Sequence, residues 1–156
     1  MLAWHLLHQV FFGGAAAAGF GVLFNCPPRF LWLSFGFGAL ALAVRTAGQE
    51  IGGLGLPVAS FVAALVLAVL NRIWEKPDSP RGSVGAVVGC IAMIPGSLAA
   101  KGLINLFDLM KTSPGEGFVS SAAAIEHLML VGFILVAIGT ALAIPPLVFP
   151  VTRSDD

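Results

Sequence analysis

Apolar residues run in five long stretches along this chain, and short clusters of proline, glycine, asparagine and charge separate them. The stretches predict helices at about 4–24, 30–48, 58–74, 83–106 and 122–148. A helix needs about 20 apolar residues to cross a bilayer. The second and third fall slightly short and are expected to lie buried against neighbours. The first ends at Asn25-Cys26-Pro27-Pro28-Arg29, where two prolines forbid helix continuation. Gly52, Gly53, Gly55 and Pro57 turn the chain into the third, and the strongly polar Glu75-Lys76-Pro77-Asp78-Ser79-Pro80-Arg81 follows it. A loop with Lys111, Pro114, Gly115, Glu116 and Gly117 precedes the fifth, which Pro145-Pro146 is expected to bend or end. The fourth stretch alone is interrupted at mid-depth, by Ile94-Pro95-Gly96-Ser97.

Composition fits spans in a membrane. Hydrophobic residues make up 58% of the chain and charged residues 10%, against about 25% charged in soluble domains. Mean hydropathy is +0.96. The expected fold is an all-α polytopic membrane helix bundle of about five transmembrane helices, the fourth broken at Pro95-Gly96, with residues 1–156 forming a single transmembrane domain. Formal net charge is zero, so no basic field invites nucleic acid. Tyr is absent, which leaves Trp4, Trp32, Trp74 and the Phe residues as interfacial aromatics. The first residues carry no Lys or Arg, so the N-terminal stretch reads as a retained helix rather than a signal peptide.

Basic residues suggest an orientation. Arg29, Arg72, Lys76, Arg81 and Arg153 all fall on one side of a five-span chain, and Lys111 falls on the other, with Arg45 and Lys101 near span ends. The positive-inside rule then puts the N-terminus outside and the C-terminus in the cytoplasm. Small residues recur at four-residue spacing: Gly13, Ala17 and Gly21, then Ala59-Ala63 and Ala64-Ala68, then Gly85-Gly89. Such stripes let helix backbones approach closely. They serve packing within the bundle or the docking of a partner subunit.

Three features carry candidate chemistry. At the break, Pro95 removes a helical hydrogen bond and crowds the preceding turn. Gly96 permits unusual backbone angles, and Ser97 offers a hydroxyl. Pro95 lies roughly 18 Å along the helix from Ser83, near mid-membrane. Broken membrane helices build substrate sites in transporters, whereas proline kinks without a ligand are also frequent. Arg45 and Lys101 sit in apolar helices, each at a cost of about 2.5–3.5 kcal/mol at the bilayer centre. They receive an anionic carboxylate with Glu126 balancing the charge, or they snorkel, or Arg45 pairs with Glu126. Asn25 and Pro27 read as a structural turn. His127 beside Glu126 is a proton shuttle or a satisfied histidine, and His5 and His8 suggest no relay. Cys26 and Cys90 have no metal spacing and no evident disulfide pairing. No Ser/His/Asp arrangement, nucleotide loop or metal cluster is visible, so the expectation is a non-enzyme without metal or cofactor.

These residues, in this order, resemble the threonine/serine exporter family. Phe24-Asn25-Cys26-Pro27-Pro28-Arg29, Arg45 late in the second span, Ile94-Pro95-Gly96-Ser97 and the late Pro145 carry the likeness over nearly the whole chain. The chain is most similar to the short five-span subunit, the YjjB-type protein. The resemblance implies ten spans, in one polypeptide or split between two. In the split form a larger five-span subunit with an extra hydrophilic region is the partner. The pair exports small metabolites across the bacterial inner membrane, threonine and serine in some members and succinate-like dicarboxylates in others, with the proton gradient as energy source. Members often carry a further proline where Ala92 stands, and some carry a histidine where Leu42 stands or a neutral residue at Lys101. The single proline implies a milder kink, and the missing histidine weakens a histidine-based proton relay here.

The expected function is therefore the small subunit of a two-component exporter of small carboxylate metabolites. Arg45, Pro95, Gly96, Ser97 and Lys101 would bind substrate, and Glu126 would couple protons. Two other readings use the same features: a scaffold that only stabilises a partner, and a small channel made of several copies of this chain.

Overall fold

A computed structural model describes residues 2–74, 82–111 and 118–148. The sequence features at 75–81, 112–117 and Arg153 lie outside the described residues, as do the side chains of His5, Arg29 and Trp74. Six α-helices make up the described chain: α1 (Leu2–Leu23), α2 (Pro28–Glu50), α3 (Leu56–Trp74), α4 (Gly82–Ile91), α5 (Gly96–Lys111) and α6 (Phe118–Val148). Among the described residues there is no strand. The protein is an all-α polytopic helix bundle. Four of the helices, α1, α2, α3 and α6, are long and apolar enough to cross a membrane. The second reaches 23 residues, longer than its apolar stretch suggested.

The remaining predicted span is split between α4 and α5. At 10 residues, α4 is about 15 Å long and cannot cross a core of about 30 Å. The chain leaves the helix after Ile91, turns at Ala92-Met93 and resumes at Gly96. The break thus begins at Ala92, includes Pro95 and ends where α5 starts at Gly96. The cause is local: a proline ring clashes with the carbonyl four residues earlier, here Ile91, and Pro95 has no N–H to offer it. The Met93 N–H closes a tight turn on the Cys90 carbonyl at 2.9 Å, and the Ala99 N–H starts α5 on the Pro95 carbonyl at 3.0 Å. By contrast, Pro145 and Pro146 do not end α6, which runs on to Val148.

The α1–α2 turn follows from its residues. The Cys26 N–H bonds to the Gly21 carbonyl and the Asn25 N–H to the Val22 carbonyl, both at 2.9 Å. That pair of bonds is a Schellman C-cap, which needs a left-handed residue at its centre. Asn25 fills it with φ 55°, since asparagine tolerates this region better than other side chains. Pro27 then adopts φ −56° and ψ 143°, and Pro28 opens the first turn of α2, where its missing N–H costs nothing. Asn25→Gly should leave stability nearly unchanged, while Asn25→Val should lower it by about 1–2 kcal/mol. Thermal unfolding in detergent reads the difference, and equal midpoints would exclude this account of the turn.

The described chain divides into two compact units. One holds α1 to α4 as far as Met93, together with α6 from Ala137. In it α2 touches α1, α3 and α4. Its core is built from small side chains: Ala17, Ala41, Ala59, Ala63, Ala64, Ala68 and Ala86 are buried, with Phe37, Leu67, Val88 and Met93 filling the gaps. The stripe on α1 lies against α2. A Cβ on Gly13 would stand 2.5 Å from Leu42 Cδ1, and one on Gly21 would stand 3.1 Å from Leu31 and 3.2 Å from the Ser34 hydroxyl. Gly89 of α4 packs directly on Phe37 of α2, where an added Cβ would come within 2.9 Å. These small residues serve packing inside the unit. Large apolar side chains point outward, among them Phe11, Phe12, Trp32, Val62 and Ile73. A lipid solvent accommodates such a surface, and water does not.

The other unit is Ile94–Val136 and holds α5 with the first part of α6. There Gly102 of α5 is buried against Leu128 and His127 of α6, with an added Cβ 3.0 Å from Leu128.

Candidate functional site

Arg45 lies two turns beyond Phe37 on α2, and Met93 lies in the turn two residues past the end of α4, four residues after Gly89. The close approach of α2 and α4 at Phe37 and Gly89 therefore brings the guanidinium to the end of α4. Arg45 Nη1–H donates to the Met93 carbonyl oxygen at 2.9 Å. Arg45 is half-buried, the Met93 side chain is fully buried, and Thr46 and Cys90 beside them are buried too. Among the described residues no buried side-chain nitrogen or oxygen lacks a partner.

The chemistry of this contact is that of a helix end. A carbonyl in the turn after a helix has no intrahelical donor, like the last carbonyls of the helix itself, and lipid supplies none. A cation at a C-terminus also meets the negative end of the helix dipole. A hydrogen bond from a charged donor is worth about 1.5–3 kcal/mol, comparable with the about 2.5–3.5 kcal/mol cost of a cation in a membrane helix. A guanidinium has five N–H groups. Among the described residues the Met93 carbonyl is its hydrogen-bond acceptor, which leaves further donors able to bind an anion.

Pro95, Gly96, Ser97, Lys101 and Glu126 fall in the second unit. Pro95 is buried, while Gly96 and Ser97 are exposed and a Cβ on Gly96 would meet nothing within 4 Å. Lys101 is exposed on α5 and Glu126 is exposed on α6. They adjoin in sequence Gly102 and His127, the residues through which α5 and α6 pack. His127 Nδ1 lies 2.6 Å from the Ala123 carbonyl, one turn earlier. A carbonyl only accepts, so Nδ1 carries the proton and the ring is tied to its own helix. Asn25 and Pro27 form the α1–α2 turn. Among the described residues no group of His, Cys, Asp or Glu is arranged to hold a metal. Sequence reading noticed Arg45 and the break separately. It missed the Met93 carbonyl as their link, because a backbone acceptor leaves no mark in residue type.

The comparisons with known proteins bear on this arrangement. The family model described as threonine/serine exporter, ThrE, matches residues 9–148. The chain belongs to the threonine/serine exporter family. This is a family of membrane transporters, not of enzymes. The chain is also 28% identical over 144 residues to an uncharacterized protein of Haemophilus influenzae, a match covering 92% of this chain and 48% of that relative. It thus spans about half the length of this relative. No solved structure matches the chain.

Proposed function

We propose that this chain is the small subunit of a two-component exporter of small carboxylate metabolites, either threonine and serine or succinate-like dicarboxylates. The observation that carries the reading is the pairing of a family match over residues 9–148 with coverage of only 48% of a relative. A unit of this kind needs a complementary half, which a larger five-span subunit of the same family would supply. The proposed setting is the bacterial inner membrane, with the N-terminus outside and the C-terminus cytoplasmic, on the distribution of Arg and Lys.

In this mechanism Arg45 attracts the substrate carboxylate. The broken segment Pro95-Gly96-Ser97 offers backbone dipoles at mid-membrane, Lys101 adds a second cation for a dicarboxylate, and Glu126 exchanges the coupling proton. The cation assignments rest on the cost of a charge in an apolar helix. Glu126 is chosen as a carboxylate in the longest span, on a helix whose other residues are mostly apolar.

Uptake of labelled threonine and labelled succinate into inside-out vesicles tests the reading, with and without the larger subunit. Proton-dependent uptake of one substrate, requiring both chains, is the expected result. In the same vesicles Arg45→Gln should raise the apparent KM about 10- to 100-fold, the worth of one charged hydrogen bond. Glu126→Gln should remove the proton dependence. Uptake by this chain alone would favour a channel of several copies. A stable complex with no uptake of either substrate would favour a scaffold.

A further inference from the structure

We propose that Arg45 is a positioning residue. Through the Met93 carbonyl it caps α4 and fixes where the fourth span breaks. In a continuous helix the Met93 carbonyl would accept the Ser97 N–H. Here α5 restarts at Gly96, and the carbonyl instead takes Arg45 Nη1–H at 2.9 Å. The side chain thus stands in for a backbone donor that the break removes. Three observations converge on this role. Met93 is fully buried, so its peptide has no easy access to water. Gly89 lets α4 approach α2 closely enough for a side chain of α2 to reach it. The acceptor lies in the turn directly after α4, close to the negative end of that helix, where a cation is favoured.

Two consequences follow. An arginine does not lose its proton in proteins, so the cap holds across the working pH range and proton coupling must reside elsewhere. The cap engages Nη1 and leaves the Nε/Nη2 edge of the planar guanidinium available as donors. A planar edge of this kind suits bidentate binding of a carboxylate. This last point rests on the exporter reading given above, but the capping role does not.

A double-mutant cycle in the full chain, with its partner subunit where the two co-purify, separates the roles. Arg45→Gln is compared with wild type in two backgrounds: the native break, and Pro95→Ala/Gly96→Ala, in which the Ser97 N–H can reach the Met93 carbonyl. Arg45→Gln should lower the unfolding midpoint in the native background and lose most of that effect in the repaired one. Arg45→Lys, which keeps a charged donor, should retain a midpoint closer to wild type. If Arg45→Gln fails to accumulate, the repaired background should restore its accumulation. An equal loss in both backgrounds, or no restoration, overturns the cap.

Transport supplies the readout that simple stabilisation would not move. A residue that only stabilises the fold would lower Vmax with the number of folded transporters and leave KM unchanged. A positioning residue raises KM, and Arg45→Lys recovers part of the loss. An unchanged KM in Arg45→Gln overturns the positioning role in transport. Coupling in the stability cycle without uptake of threonine or succinate would overturn the exporter reading alone. An additive cycle with proton-dependent uptake would overturn the cap alone.

Discussion

Gly38→Ala is expected to force α1 away from α2 and to lower stability by about 1–3 kcal/mol, the usual cost of overfilling a packed contact. A Cβ at Gly38 would collide with the Ala17 Cβ and stand 2.6 Å from the Gly13 carbonyl. The second obstacle is backbone, which cannot rotate aside as a side chain can. Gly13 is itself closely packed, since a Cβ built on it would stand 2.5 Å from Leu42 Cδ1 and 3.1 Å from the Gly38 carbonyl. Gly36, two residues earlier on the same helix, is the control. A Cβ there meets nothing within 4 Å, and alanine gains about 0.5–1 kcal/mol over glycine inside a helix. Gly36→Ala should therefore be neutral or mildly stabilising. Thermal unfolding of both variants in detergent makes the comparison. Equal midpoints would mean that α1 and α2 do not meet in this register. Gly38→Leu should be more severe and prevent accumulation of the folded chain.

Repairing the fourth span is expected to abolish most transport while leaving the protein folded. Exchanging proline for alanine inside a helix is worth about 3 kcal/mol, which shifts a broken-to-continuous equilibrium by about a hundredfold. Pro95→Ala/Gly96→Ala should thus join α4 to α5 without a clash, since the Gly96 position is open. Substrate flux in vesicles should fall by more than about tenfold, less than the full equilibrium shift because residual broken states remain populated. The yield of the complex should not fall, because the replacement removes no packed side chain except the Pro95 ring. Unchanged flux at unchanged yield would show that the break is a packing kink and would leave the scaffold reading in possession of the same helices. This result also bears on Arg45: in the repaired chain its guanidinium loses the carbonyl that occupies it.

Much of this was legible without a structure because the determinants act locally. Span length is set by bilayer thickness, and each stretch of apolar residues reports it directly. Prolines at 27, 28 and 95 act on their own turn through a missing N–H and a fixed φ. The break was therefore visible in Ile94-Pro95-Gly96-Ser97, and its start at Ala92 differs only because the proline ring acts on the carbonyl four residues back. The family was legible for the same reason, since its motifs are short runs at turns and at the break. Of the two effects expected of Pro145-Pro146, a bend or an end, the end does not occur. Each proline forfeits its own bond to the carbonyl four residues earlier, yet α6 continues through both to Val148.

Which face of each helix meets which neighbour was a different matter. In a soluble protein the buried side is apolar and the outer side polar, so periodicity reveals the contact face. In a membrane protein both sides are apolar, and that contrast vanishes. Gly36 and Gly38 are the same residue in the same helix, yet one faces open space and the other the backbone of α1. Arg45 presents the same limit in its polar form. The sequence marked it as a charge in an apolar span, and it left a carboxylate, a pairing with Glu126 or the interface as its destinations. Its contact with a backbone carbonyl 48 residues away depends on how α4 lies along α2, which Gly89 and Phe37 decide by shape. The chain by itself determined the helices, the break and the family. The tertiary structure alone decided that one helix's cation closes another helix's open end, because that requires two distant segments to pack in a single register.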